Sequence, residues 1–387
     1  MRSDEELRNE VRGWLAAHWD PRRDRREWLA AVVDAGYAAP RWPRAAFGAD
    51  LDDGQARIVE AEFARAGAPG SGQDRTNLWA NTLLTFGSEE LRVRLLRPLL
   101  ENRVRMCLLY SEPGAGSDLA GVRTSAVPDG DEYVVDGQKV WTSNAAGADV
   151  GMLLARTDPA VPKHRGLSFF FLPMDQPGVQ VRPLRQITGE AHFNEVFLTG
   201  ARVPAVNMLG EPGQGWQVLV TALAYERVAL GETNLGASTR ANGRGQTDLA
   251  ELARRHGRAD DVLLRRDIAR LFALRSVNRW TNQRAQAQRA QGSSSPLASL
   301  GKLMMSRIVH ETGRVQSAIV GPGALLDGPA NPDGDDANFA SMNAYFTSIG
   351  GGTDQIQRNI IGERLLGLPR EPEVDRDVPF RDIPFSG

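Results

Sequence analysis

Between Asp4 and Trp19 the apolar side chains Leu7, Val11, Trp14, Leu15 and Trp19 return every three or four residues, the spacing of one helix face. Trp28, Val32 and Val33 continue the pattern beyond Pro21, and Pro40-Arg41-Trp42-Pro43 breaks it. Further helices are predicted over 55–67 and 88–100. In the second, Ser88 is placed to cap, Glu89 and Glu90 sit at the positive end of the helix dipole, and Leu91, Leu95 and Leu99 share a face. The first hundred residues therefore read as mainly helical.

Near Arg105 the period changes. Residues 106–110, 132–136, 139–141, 150–155, 167–172, 179–181 and 195–198 are short apolar or alternating runs cut by Gly, Pro and Asp, which predict strands. Val135-Asp136-Gly137-Gln138 reads as a hairpin turn. Short strands with no helix between them predict a small antiparallel barrel or sandwich over 105–212. After Gly213-Gln214-Gly215 the helical period returns over 216–237, 260–290, 296–320 and 338–349, with Leu297, Leu300, Met304, Ile308, Val315 and Ile319 in one stripe. Residues 292–295 and 327–336 read as loops. Gly350-Gly351-Gly352 leads into a last helix capped by Thr353 and stopped by Gly367-Leu368-Pro369. The pattern gives an α+β multidomain chain: a helical N-terminal domain (1–104), a central antiparallel β-barrel domain (105–212), a C-terminal four-helix bundle (213–369) and a tail (370–387), the tail being an arm on a surface or frayed.

Composition changes this picture little. With 41% apolar and 24% charged residues the chain has ample material for a large core. A net charge of −2 gives no field that favours nucleic acid or an anionic membrane. The one cysteine, Cys107, lies in an apolar run and reads as a core residue. The opening Met1-Arg2-Ser3-Asp4-Glu5-Glu6 has no apolar leader, and no stretch approaches eighteen uninterrupted apolar residues, so the expectation is a cytoplasmic protein. The five histidines are dispersed, with no pair at ligand spacing, and no metal site is expected.

Candidate chemistry gathers at four places. Ser111-Glu112-Pro113-Gly114-Ala115-Gly116-Ser117-Asp118 follows the run 106–110: a loop with small residues and hydroxyls can hold a flat cofactor or its phosphates, or be an ordinary tight turn. In Lys139-Val140-Trp141-Thr142-Ser143, alternation sends Trp141 and Ser143 to one side, for stacking or for core packing. Gly350–Gly352 before Thr353 makes a helix N-terminus that could face a phosphate, or a plain cap. Finally, Leu219, Leu223, Glu226 and Leu230 are spaced four, three and four apart, so a carboxylate interrupts an apolar stripe. Such a group pairs, here with Arg227, takes up a proton, or serves as a base whose pKa its surroundings raise toward neutrality.

Together the helix–sheet–helix plan and three segments resemble the acyl-CoA dehydrogenase family of flavoproteins: Tyr110–Asp118, Gly137-Gln138-Lys139-Val140-Trp141-Thr142-Ser143 and Gly352-Thr353-Asp354-Gln355-Ile356-Gln357-Arg358. The resemblance implies FAD, held by Leu108, Tyr110, Ser111, Gly116 and Ser117, by Trp141 and Ser143 at the flavin ring, and by Thr353 and Gln355. The family's base most often precedes the last Gly-Thr, where Gly351 stands here. A branch resembling isovaleryl- and long-chain acyl-CoA dehydrogenases carries it in a Glu-Arg pair, which Glu226-Arg227 matches, so the catalytic role falls to Glu226. The implied reaction removes a proton alpha to the thioester of an acyl-CoA or acyl-carrier-protein substrate and a hydride from the beta carbon. Electrons would pass to an electron-transfer flavoprotein. A flavin oxidase or monooxygenase and a non-catalytic subunit of a heteromeric dehydrogenase are the alternatives. The family's Arg-x-x-Phe-Gly segment has no counterpart near Arg254–Asp261, and its Gln-x-x-Gly-Gly segment is replaced by Ala318–Gly323. Both act across a subunit boundary. Either the adenosine end is held differently, the reading favoured here together with a homo-oligomer (dimer or tetramer), or a related partner chain supplies those contacts. Gly351 leaves space that suits a branched or bulky acyl group.

Overall fold

A computed structural model of the chain describes residues 3–232, 247–290, 296–326 and 328–384. The chain divides into two compact units: one comprises Met1–Leu184, Ala191–Ala229 and Glu373–Gly387, and the other Arg185–Glu190 and Leu230–Pro372.

The first unit opens with α1 (Asp4–His18). Ser3 and Glu6 form a reciprocal capping box at its start, and Leu7, Val11 and Leu15 form its buried stripe. Next come α2 (Arg25–Asp34), α3 (Asp53–Ala66), α4 (Gln73–Thr76), α5 (Leu78–Phe86) and α6 (Glu89–Leu100). Ser88 caps α6 by accepting from Leu91 N. The pattern did not show α4 and α5. The first is a single turn, and α5 buries polar Asn81 and Thr82 beside Leu78, Ala80 and Leu83, so no clean apolar face stands out.

Eight strands follow: β1 (Met106–Leu109), β2 (Ser125–Asp129), β3 (Glu132–Ser143), β4 (Val150–Arg156), β5 (Leu167–Pro173), β6 (Val179–Leu184), β7 (Phe193–Pro204) and β8 (Met208–Leu209), paired in the order β6-β7-β3-β2-β4-β5-β8. Pairing is mostly antiparallel. The exceptions to the antiparallel expectation are β1, which runs parallel to β4, and one parallel bridge between β2 and β4.

The hairpin is not where the sequence placed it. Asp129 faces Glu132 across Gly130, so the turn lies between β2, which was missed, and β3. Asp136-Gly137 instead lies inside one long strand that pairs with β7 on either side of a register shift. Gly137 has φ +156°, and a Cβ there would sit 2.7 Å from the Thr124 Cα, so this Asp-Gly step is an irregularity that β2 packs against.

β4 and β5 are buried on both faces, which explains their continuous apolar runs. Met152, Leu154, Phe169 and Phe171 join the helical core and Val218, Leu219 and Ala222 of α7 (Gly215–Glu232). On the other face Leu153, Phe170 and Leu172 pack with Val135 of β3 and Val196, Leu198 and Val203 of β7, so the sheet folds over on itself as the predicted barrel or sandwich does. Cys107 belongs to this second cluster, where burial pushes its thiol up to about 12.

The second unit contains α8 (Leu249–Arg255), α9 (Val262–Ala290), α10 (Leu297–Val320), α11 (Pro332–Ile349) and α12 (Asp354–Ile360), the last continued by a π-helical turn. Leu252, Leu264, Leu271, Ile308, Val315 and Ile319 form its core. α11 starts earlier than predicted: Pro332 in its first turn with Asp333 and Asp335 is a helix start that the Gly- and Asp-rich composition disguised as loop. α8 was also missed, being only two turns long. The far end of the helix predicted over 216–237, the loop 292–295 and Asp327 lie outside the described residues. Among those described, no helix is long and apolar enough to cross a membrane.

Candidate active site

β1 delivers the chain into the loop that the sequence singled out. Leu108 packs against the helical core, and Tyr110 is buried with its ring edge-on to Phe169 and its hydroxyl 3.9 Å from Met152 Sδ. Burial pushes the Tyr110 phenol well up, and the nearby Glu226 carboxylate adds to the rise. Glu226, on α7, is thus within electrostatic reach of the end of β1. Leu219 of the predicted stripe is fully buried and Leu223 packs against the core, while the side chains of Arg227 and Leu230 lie outside the described residues.

Beyond Tyr110 the chain makes a tight turn, in which Glu112 and Ala115 exchange backbone hydrogen bonds of 3.0 and 3.1 Å. Pro113, Gly114, Gly116 and Ser117 are exposed. Neither Gly114 nor Gly116 adopts the left-handed conformation that the sequence reading allowed them. A Cβ on Gly116 would meet nothing within 4 Å, so glycine here leaves bare backbone open to a ligand.

Trp141 sits at the second register shift of β3 against β7, between Lys139 and Thr142, with φ +62°. A left-handed tryptophan inside a strand is strained by about 1–2 kcal/mol. The bulge re-aims the strand. Lys139 and Thr142 point inward, whereas Trp141 is 58% exposed and Ser143 exposed beside it, on the shared side that alternation predicted. The indole ring stands perpendicular to that of Phe193, with 6.0 Å between centroids. Asn144, also left-handed, ties the strand end to β7 by donating from its N to His192 O.

The sequence reading gave Lys139 and Glu112 no role, yet they join the two segments. Lys139 is fully buried, and its Nζ donates to Glu112 Oε1 (2.8 Å), Tyr110 O (3.0 Å) and Leu154 O (2.8 Å). The Glu112 carboxylate also accepts from Arg123 N (2.7 Å) and Thr124 N (2.9 Å), and Val140 N donates to Ser111 O (2.9 Å). The strand that carries Trp141 is thereby braced against the loop that carries Ser111 and Ser117. One available signal was a lysine an even number of residues from buried Val135 in a strand.

In the second unit, Thr353 caps α12 by accepting from Ile356 N, Gln355 is exposed, and Gln357 donates to Gly351 O. In the first unit a cavity of about 750 Å3 is lined by α2, α4, α5, the start of β1 and the turn after β3, with Gln73, Asn77, Asn144 and Asn194 among its polar residues.

The exposed indole on strained backbone and the bare loop with hydroxyls together offer a surface on which a flat ring could stack. The chain matches the acyl-CoA dehydrogenase N-terminal domain over residues 2–103, the middle domain over 107–200 and the C-terminal domain over 213–366. It belongs to the acyl-CoA dehydrogenase family, whose members are flavoprotein oxidoreductases of lipid metabolism. It is 37% identical over 403 residues to the acyl-CoA dehydrogenase IpdE1 of Mycobacterium tuberculosis, covering 96% of this chain and 99% of that one. It is 33% identical to the cyclohexane-1-carbonyl-CoA dehydrogenase of Geobacter metallireducens over 73% and 74% of the two chains. Among solved structures it is similar to the Tcur3481-Tcur3483 steroid ACAD (TM-score 0.73, 28% identity, 95% and 98% coverage). It is also similar to the ChsE4-ChsE5 complex from Mycobacterium tuberculosis (TM-score 0.68, 31% identity, 95% and 98% coverage).

Proposed function

We propose that this chain is an FAD-dependent acyl-CoA α,β-dehydrogenase whose base is Glu226. The observation that supports the reading is that α7 packs through Leu219 and Ala222 into the same core as Tyr110, with Glu226 within electrostatic reach of that phenol. A carboxylate in mostly apolar surroundings has little water to stabilise its charge, which strengthens it as a base toward a weakly acidic carbon. Glu226 takes the proton from the carbon alpha to the thioester carbonyl. The electron pair left behind closes the α,β double bond as a hydride leaves the beta carbon. FAD, when bound, supplies the hydride acceptor. Leu108, Tyr110, Ser111, Gly116, Ser117, Trp141 and Ser143 would hold it. Trp141 offers the stacking face and Ser143 the adjacent hydroxyl; Gly116 gives the backbone room to approach.

For the substrate we favour a bulky, ring-bearing acyl-CoA. Gly351 leaves space where a carboxylate usually stands, and relatives named for steroid and cyclohexane-carbonyl substrates support that reading. Electrons would pass on to an electron-transfer flavoprotein. Two structural relatives are two-chain assemblies, so the expected homo-oligomer finds no support among them. A related dehydrogenase chain as partner accounts for the missing cross-subunit segments and for exposed Phe272, Trp280, Tyr345 and Ile349 on the bundle helices.

The test is anaerobic titration of the purified yellow protein with a panel of acyl-CoAs, with Glu226→Gln alongside. Bleaching by a ring-bearing thioester in the parent, and none in a variant that keeps its colour, is the expected result. Equal bleaching in both proteins removes Glu226 from the role of base. A chain that acquires colour only with a related partner chain decides for the hetero-oligomer.

A further inference from the structure

The tail is neither periodic nor apolar in sequence, yet Glu373–Gly387 belongs to the first compact unit, with the sheet. It is held there by specific contacts. Pro379 bridges to Pro162 in antiparallel fashion, Phe380 N donates to Val161 O (2.9 Å), and Arg381 N donates to Pro159 O (3.0 Å), so the tail pairs along the β4–β5 connection. Phe380 is 7% exposed, and the Arg156 guanidinium lies 3.3 Å from its ring centroid, with that of Arg123 at 5.2 Å. Farther back along the tail, Asp375 accepts from Lys163 Nζ at 3.3 Å.

These anchors converge on one loop. Arg156 is 5% exposed and donates to Ala120 O (2.7 Å), Val122 O (3.1 Å) and Lys163 O (3.1 Å). Lys163 Nζ donates to Asp118 Oδ2 (3.0 Å) as well as to Asp375. Asp118 ends the Ser111–Asp118 segment, and residues 119–122 lead from it to Arg123 and Thr124, whose amides hold Glu112. The guanidinium of Arg156 is therefore nearly buried, hydrogen-bonded to carbonyls, and faces the π cloud of Phe380. Burial pulls its pKa down to about 10, so it stays a cation at neutral pH, and the π face of Phe380 offsets part of the cost of burying that charge.

We propose that residues 373–384 are an intramolecular strap, with Phe380 as its positioning residue, that pins the loop 118–122 through Arg156 and Lys163 and so slows loss of the flavin. The proposal rests on the flavin reading above only in its last clause. Phe380→Leu keeps the apolar bulk and removes the π face, Phe380→Trp keeps both, and a chain ending at Pro372 lacks the strap.

The experiment has two readouts on the purified chain: hydrogen exchange of the Gly121–Thr124 amides without flavin, and the rate at which bound FAD is lost on dilution. The truncated chain and Phe380→Leu are expected to exchange faster at these amides and to lose FAD roughly 2- to 30-fold faster, the range a desolvated cation–π contact spans, with Phe380→Trp like the parent. Unchanged exchange in the truncated chain overturns the strap. Faster exchange with unchanged FAD loss overturns its action on the cofactor. If the parent holds no FAD either alone or with a related partner chain, the flavin reading has failed and the exchange result still decides the strap.

Discussion

Glu112→Gln is the sharpest test of how the two segments are held together. The side chains of Lys139 and Glu112 are 0% and 9% exposed, so the substitution leaves a buried ammonium with two carbonyl acceptors and no counter-charge. Breaking a buried pair from one side costs about 3–5 kcal/mol. Glutamine keeps one oxygen that can accept from Lys139 Nζ and Thr124 N, and its NH2 loses the bond from Arg123 N, so the lower part of that range, about 3 kcal/mol, is expected. For a cooperative unit of this size that is a fall in Tm of roughly 6–12 °C. Thermal and urea unfolding of the flavin-free chain measure it, and Glu112→Gln/Lys139→Met, which removes both charges, should recover at least about 1 kcal/mol. A single variant within about 0.5 kcal/mol of the parent, or a double variant as unstable as the sum of its singles, refutes the brace.

The same pair predicts a pH dependence. Burial alone would raise the Glu112 pKa, but the charge and hydrogen bond of Lys139 and the bonds from Thr124 and Arg123 outweigh it, and the net shift is downward from 4.5. The unfolded chain then binds the proton first, so the stabilisation is present above about 4.5 and is lost as pH falls through the lowered value. Burial lowers the Lys139 pKa from 10.5 despite Glu112, so the unfolded chain also holds more protons just below 10.5 and stability rises with pH in that window. Glu112→Gln should flatten the acid limb.

Trp141→Gly relieves a left-handed tryptophan and removes an exposed ring, so the flavin-free chain should change by less than about 1 kcal/mol in urea unfolding. Flavin affinity, by fluorescence titration, should fall roughly tenfold for the lost stacking. Equal losses in both would make Trp141 a packing residue. Gly137→Ala drives a Cβ into Thr124 and should cost about 1–3 kcal/mol by urea unfolding, whereas a neutral result would mean that β2 and β3 can separate freely there.

How much of this was legible in the sequence depends on the distance over which each feature is specified. The Ser88 and Thr353 caps and the Ile308, Val315 and Ile319 half of the α10 stripe are local, and the structure shows them where the pattern put them, whereas Leu297, Leu300 and Met304 are only half-buried and Ser299, Gly301 and Ser306 are buried in that half. The hairpin failed because the strand region 105–212 holds two Asp-Gly steps, at 129–130 and 136–137, that look alike over four residues. Only the pairing of β3 with β7, more than fifty residues away, makes the second an irregularity instead of a turn. Glu226 could be picked out as a polar interruption of a stripe, but Tyr110, which gives that interruption a chemical setting, is more than a hundred positions distant.

The bulge at Trp141 shows the limit most clearly. Strict alternation puts Lys139, Trp141 and Ser143 on one face, and a sequence reading must choose whether that face is core or surface. The structure makes neither choice: one extra residue sends the lysine inward to Glu112 and the indole and hydroxyl outward. A buried, paired ammonium and an exposed ring cannot share a face, and the strained backbone angle at Trp141 separates them. The break in local pattern and the candidate cofactor surface coincide because the second requires the first.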